Sequence, residues 1–136
     1  MKTTITQIQA DRIRILADFL DKLPSTARDH FNMSTFGSGG LLKRKLGHCG
    51  TVACAAGWGA ECPALRKQGY KRDDSFDRRN NGVLFFDGTR YDRAVSTFFG
   101  AYDGLFDCTL GEKIKTPKQW AKHARRWLAK ECVVQG

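Results

Sequence analysis

From about Thr4 to Leu23, apolar residues return every three or four positions, and Ile5, Ile8, Ile15, Leu16, Phe19, Leu20 and Leu23 fall on one stripe of a helix with about 3.6 residues per turn. Pro24 ends the pattern. On the opposite side stand Arg12, Arg14, Asp18, Asp21 and Lys22, whose mixed sign reads as a solvated face. From Asp29 to Gly47 no period persists. Gly37-Ser38-Gly39-Gly40 marks a loop, basic over about 37–47, with a short turn at Leu41-Leu42.

The longest run of small and apolar residues is His48 to Gly59. Thr51 is a good N-cap, and a helix from there to Cys62 would line up Cys54, Trp58 and Cys62 at i, i+4 and i+8. Ala53, Gly57 and Ala60 would form a neighbouring strip narrow enough for another helix to approach. Gly57 and Gly59 each cost about 1 kcal/mol of helix propensity relative to Ala, which packing around Trp58 must offset, and Pro63 is the expected stop.

Charges and turn formers dominate Lys67 to Gly82, which reads as an exposed loop. Val83-Leu84-Phe85-Phe86, then Asp87-Gly88, then Thr89-Arg90-Tyr91 is a β-hairpin pattern over about 83–91, because Asp-Gly accepts the positive φ of a tight turn. A two-stranded sheet of that size needs helices over it. Asp92 can cap a short helix carrying Ala94, Val95, Phe98 and Phe99, with Gly100 as its C-terminal stop, and Leu105-Phe106 adds a further turn to the core.

Thr116-Pro117 places an N-cap before a proline at the first helical position, and Gln119 completes a capping box. Spaced about 100° apart, the residues of this helix (117–130) sort into two sides. Trp120, Ala121, Ala124, Trp127 and Leu128 share one; Lys118, Lys122, Arg125, Arg126 and Lys130 share the other, with His123 at the edge. These patterns predict an α+β, mainly helical fold in a single domain over 1–136. Its three principal helices start near Thr4, Thr51 and Thr116, joined by shorter helical turns and one small β-hairpin.

Composition sharpens the functional side. The chain has 136 residues, and its 23 Lys and Arg against 14 Asp and Glu give a net charge of +9, which attracts polyanions. Charges interrupt the apolar pattern of the first twenty residues, so no secretory leader is expected, nor any membrane span, and the expected location is the cytoplasm. The five cysteines, Cys49, Cys54, Cys62, Cys108 and Cys132, form an odd set, consistent with reduced thiols there.

Three chemistries compete. Cys49, just before a helix N-terminus, is a candidate nucleophile for a hydrolase or transferase, since the helix dipole would favour its thiolate. The adjacent His48 cannot easily turn toward it, and His123 has no carboxylate nearby in sequence to orient it. A zinc-stabilised interaction module would draw on His48, Cys49, Cys54, Cys62 or Cys108, but no second closely spaced pair completes four ligands. The plainer reading of these cysteines is as small core hydrophobes.

The third chemistry is phosphate contact by the basic helix through Lys118, Lys122, Arg125, Arg126 and Lys130, preceded by Lys113 and Lys115 and assisted by Lys43-Arg44-Lys45 in the loop. A charge run is usually a solvated face; here almost no acid interrupts it within the helix. Gly37-Ser38-Gly39-Gly40 lacks the Lys-Ser or Lys-Thr of a phosphate-cradling loop, and no cofactor is expected. Nucleic acid, free or in a nucleoprotein complex, is the expected partner of a non-enzymatic protein.

The order of Met33-Ser34-Thr35-Phe36, Cys49-Gly50-Thr51-Val52-Ala53-Cys54-Ala55-Ala56-Gly57-Trp58, Phe98-Phe99-Gly100, Leu105-Phe106 and Thr116-Pro117 resembles a group of small uncharacterised bacteriophage and prophage proteins. The chain departs from that group by its loop from Gly37 to Gly47. The group has no assigned activity, so the resemblance carries over no catalytic residue. What it implies is a context, a host nucleoprotein complex such as a restriction or CRISPR assembly, and a role as inhibitor of host defence.

Overall fold

The computed structural model describes residues 2–23, 55–73, 83–106, 110 and 113–135. The element order is β1 (Thr3–Thr6), α1 (Gln7–Asp21), α2 (Ala55–Gly59), α3 (Pro63–Arg66), β2 (Lys71–Asp73), β3 (Val83–Phe86), β4 (Thr89–Arg90), α4 (Tyr91–Phe99), α5 (Pro117–Lys130) and β5 (Cys132–Gln135). It is an α+β arrangement rich in helix, as the patterning predicts.

The first helix starts three residues later than its apolar stripe suggests. Thr3–Thr6 is extended and pairs in parallel with Cys132–Gln135, placing Ile5 opposite Val134. Thr6 then caps α1, its Oγ1 accepting from Gln9 N at 3.1 Å while Gln9 Oε1 accepts from Thr6 N at 2.9 Å. Helix α1 buries Ala10, Ile13, Leu16, Ala17 and Leu20. It packs lengthwise on α5, and the two run antiparallel: Asp21 meets Lys118, whereas the earlier Asp18 meets the later Arg125.

The central helix departs most from expectation. Its described part, α2, ends at Gly59 and not at Cys62, and is followed by a turn and then by α3, which Pro63 begins and does not end. Cys62 is extended at φ −78° and ψ 117°, because the ring of a following proline crowds a helical residue out of the α region. Cys62 therefore shares no helical stripe with Trp58, though both are buried. Thr51 and Cys54 lie outside the described residues. Ala53 of the expected small-residue strip also lies outside the described residues, while Gly59, next to Trp58, allows a close approach: a Cβ there would come within 3.1 Å of Tyr70 Cε2 and 3.5 Å of Leu16 Cδ1.

The sheet holds three strands, ordered β2-β3-β4 and antiparallel. Asp87 (φ 48°) and Gly88 (φ 77°) make the β3–β4 turn as predicted. The additional strand, Lys71–Asp73, was expected to be loop; its charged sequence carries no alternation, and charge suits an edge strand. Tyr91 starts α4 and does not extend β4, and Asp92 sits in the first turn of α4, with Arg90 at the cap position. There a carboxylate still complements the helix dipole.

Aromatic rings run as a chain from this sheet to α5. Tyr70 stacks on Phe98 at 4.7 Å, Phe98 meets Phe99 at 4.8 Å, Phe99 meets Phe106 at 4.8 Å, and Phe106 meets Trp120 at 5.3 Å. Two polar anchors fix its ends: Tyr70 O–H donates to Ala56 O at 2.6 Å, and Trp120 Nε1 donates to Leu105 O at 2.8 Å. The C-terminus of α4 points into α1, where Gln9 donates to Thr97 O at 3.2 Å and Arg12 to Phe98 O at 2.9 Å. Gly100 ends α4 with φ 86°, and a Cβ there would lie 2.7 Å from Ile5 Cγ2.

Candidate nucleic-acid interface

The basic helix forms where its local sequence says it should. Thr116 Oγ1 accepts from Gln119 N at 3.2 Å, Gln119 Oε1 accepts from Thr116 N at 3.2 Å and from Lys115 N at 2.7 Å, and Pro117 takes the first turn. These bonds satisfy backbone donors that an uncapped helix would leave open. Trp120, Ala121, Ala124 and Trp127 are buried and seat the helix on the core.

The five cations of α5 divide into two sets. Lys118 and Arg125 lie on the flank toward α1, where Lys118 Nζ donates to Asp21 O at 2.6 Å and sits 3.3 Å from Asp21 Oδ1. Arg125 bridges Asp21 Oδ2 at 3.1 Å and Asp18 Oδ1 at 2.8 Å. Hydrogen bonds from Arg125 and Lys118 hold the Asp21 carboxyl below the usual carboxylate range, and those same carboxylates raise the pKa of Arg125 further. The absence of acids along α5 itself was thus only half of the picture. The compensating acids come from α1, on a face that the sequence presents as plain solvated surface.

Lys122, Arg126 and Lys130 form the other set. They follow one another at i, i+4 and i+8 on the outer side, all exposed. Among the described residues none of them has an ion pair. At about 1.5 Å of rise per residue, the three charges span about 12 Å along the helix axis.

His123 is turned to the opposite flank, with Nε2 2.7 Å from Gly104 O. A carbonyl only accepts, so Nε2 carries the proton in this bond. His123 thereby ties the turn at Asp103-Gly104 to α5. Next to it, and sharing Arg126 with the outer stripe, opens a cavity of about 650 Å³ that also reaches Trp127, Lys113 and Glu131.

Lys43, Arg44 and Lys45, and with them His48, Cys49, Cys54 and Cys108, lie outside the described residues. Cys62 and Cys132 are buried free thiols. Burial, chiefly, pushes the Cys132 thiol upward, and its Sγ donates to Leu128 O at 3.3 Å. Among the described residues no three His, Cys, Asp or Glu side chains gather closely enough to hold a metal ion. No described helix is long and apolar enough to cross a membrane. No known protein family, no curated protein and no solved structure matches this chain.

Proposed function

We propose that this protein is a non-enzymatic binding protein that docks on nucleic acid through the outer face of α5. The observation that carries this reading is the Lys122, Arg126, Lys130 stripe, three exposed cations in line without ion pairs among the described residues, on a chain of net charge +9. Cations already matched by carboxylates gain little from a phosphate, so Lys118 and Arg125 act chiefly as braces between α1 and α5. The Lys43-Arg44-Lys45 segment remains a second phosphate contact expected from sequence.

Resemblance to small phage proteins favours a nucleic acid presented by a host defence complex in the bacterial cytoplasm, with inhibition of that complex as the outcome. Fluorescence anisotropy with labelled duplex and single-stranded oligonucleotides tests the docking itself. Each phosphate contact contributes about 0.9 to the salt slope on duplex DNA and about 0.7 on a single strand. Lys122→Gln with Arg126→Gln and Lys130→Gln should therefore lower the slope by about 2 to 3 and remove most binding at physiological salt. Lys118→Gln with Arg125→Gln should leave most of it. Equal losses from the two variants, or no loss from the first, would remove this surface from the interface; binding to a host protein after nuclease treatment would identify a protein partner instead.

A further inference from the structure

The geometry points to the cavity beside Arg126 as a seat for one nucleotide unit whose base carries an exocyclic amino group. This assignment rests on the docking of nucleic acid along α5 and specifies what that face selects. The cavity's volume of about 650 Å³ lies within the range of small-ligand sites. Its walls carry both apolar and charged side chains. Trp127 and Ile114, each only 5% exposed, and Leu110 make up its apolar lining, so a base would rest against the narrow exposed rim of these side chains.

The charges are placed for discrimination. Arg126 and Lys113 attract a phosphate, whereas Asp103 and Glu131 repel one and, as carboxylates, accept hydrogen bonds. Cytosine, adenine and guanine carry amino groups with two N–H donors; thymine and uracil have a single imide N–H in that region. A carboxylate accepting from cytosine N4 is an established pairing. Because Arg126 belongs both to the stripe and to the cavity wall, a strand held along Lys122, Arg126 and Lys130 passes the cavity mouth. Its phosphate stays on Arg126 while one unstacked base turns inward. The His123–Gly104 bond at 2.7 Å keeps the Asp103 turn against α5, so that wall is fixed before the base arrives.

The test uses the full chain with labelled oligo-dC, oligo-dT and a duplex, and free CMP as competitor. Wild-type protein should bind oligo-dC about tenfold more tightly than oligo-dT, the discrimination expected of one good base contact. Asp103→Asn with Glu131→Gln should abolish that preference by weakening oligo-dC alone, while oligo-dT binds at least as well because two repelling charges are gone. A misfolded variant would lose both. Equal wild-type affinities, or a preference that survives the double substitution, overturns the base seat and leaves the basic stripe standing. If no oligonucleotide binds at low salt, the docking face itself falls, and the CMP arm decides the cavity. CMP binding that is lost in the double variant assigns the seat to a free nucleotide, and no CMP binding removes it.

Discussion

Replacing Arg12 should loosen the joint between α1 and α4 without touching the basic stripe. Its guanidinium lies 4.1 Å from the Phe98 ring centre and 5.3 Å from that of Phe86, donates to Phe98 O at 2.9 Å, and donates through Nε to Gln68 Oε1 at 2.7 Å. Phe98 O belongs to the last turn of α4, where carbonyls lack helical partners and a cation also complements the dipole. Partial burial lowers the Arg12 pKa, but guanidinium ionises so far above neutrality that the charge persists.

A part-buried charged hydrogen bond contributes about 2 kcal/mol and the ring contact about 1 kcal/mol. Arg12→Met, which keeps the apolar stem, should therefore cost about 3 kcal/mol. For a chain of this length that is a fall of roughly 10 °C in melting temperature. Arg12→Lys should lose about half as much, because an ammonium keeps the charge but not the fork that reaches Gln68 and Phe98 together. Calorimetry or thermal circular dichroism reads the shift. A Met variant melting within about 2 °C of wild type would refute the account. At a temperature where both are folded, oligonucleotide affinity should be unchanged.

Two further outcomes follow from the same region and its neighbour. Gly100→Ala combines a left-handed φ of 86° with a Cβ 2.7 Å from Ile5 Cγ2 and 2.6 Å from Gln9 Oε1, and should destabilise by about 3 kcal/mol in urea titration; a loss below about 1 kcal/mol would show that the α4–α1 joint yields. Asp21 has its pKa lowered by folding, so at pH values between that lowered pKa and the unfolded value near 4 the unfolded state binds more protons. Its contribution is present above about pH 4 and is lost as acidity passes through the lowered folded value. Lys118→Ala with Arg125→Ala should flatten that acid limb of stability, and an acid limb identical to wild type would show the ion pairs to be inert.

Features built within a few residues were legible in the sequence. Thr116, Pro117 and Gln119 predicted the start of α5 because capping joins residues three apart, and Asp87-Gly88 and Gly100 announced backbone angles that few residues accept. Pairings between distant residues were not. Ile5 fits the apolar period of α1 as well as it fits a strand, and only Cys132–Gln135 decides the matter. The central helix was overextended because periodicity outweighed the local conflict at Cys62-Pro63. On α5, the cations were visible but their division was not. Asp18 and Asp21, spaced three apart on α1, face Arg125 and Lys118, spaced seven apart on α5, and nothing local couples the two helices. Asp103 and Glu131 likewise gained meaning only when two turns and α5 met at one cavity.

The parallel β1–β5 pair also sets the order in which the molecule can come into being. Thr3 pairs with Cys132, and Thr6 with Gln135, across almost the whole described sequence, so this contact carries the largest loop-closure cost among the described strand pairings. On the ribosome, at roughly 5–20 residues per second, β1 and the α5-facing side of α1 wait on the order of ten seconds for their partners. Until then the side of α1 that packs on α5 lacks its cover. The basic stripe is likewise among the last described parts to be made, since α5 directly precedes β5.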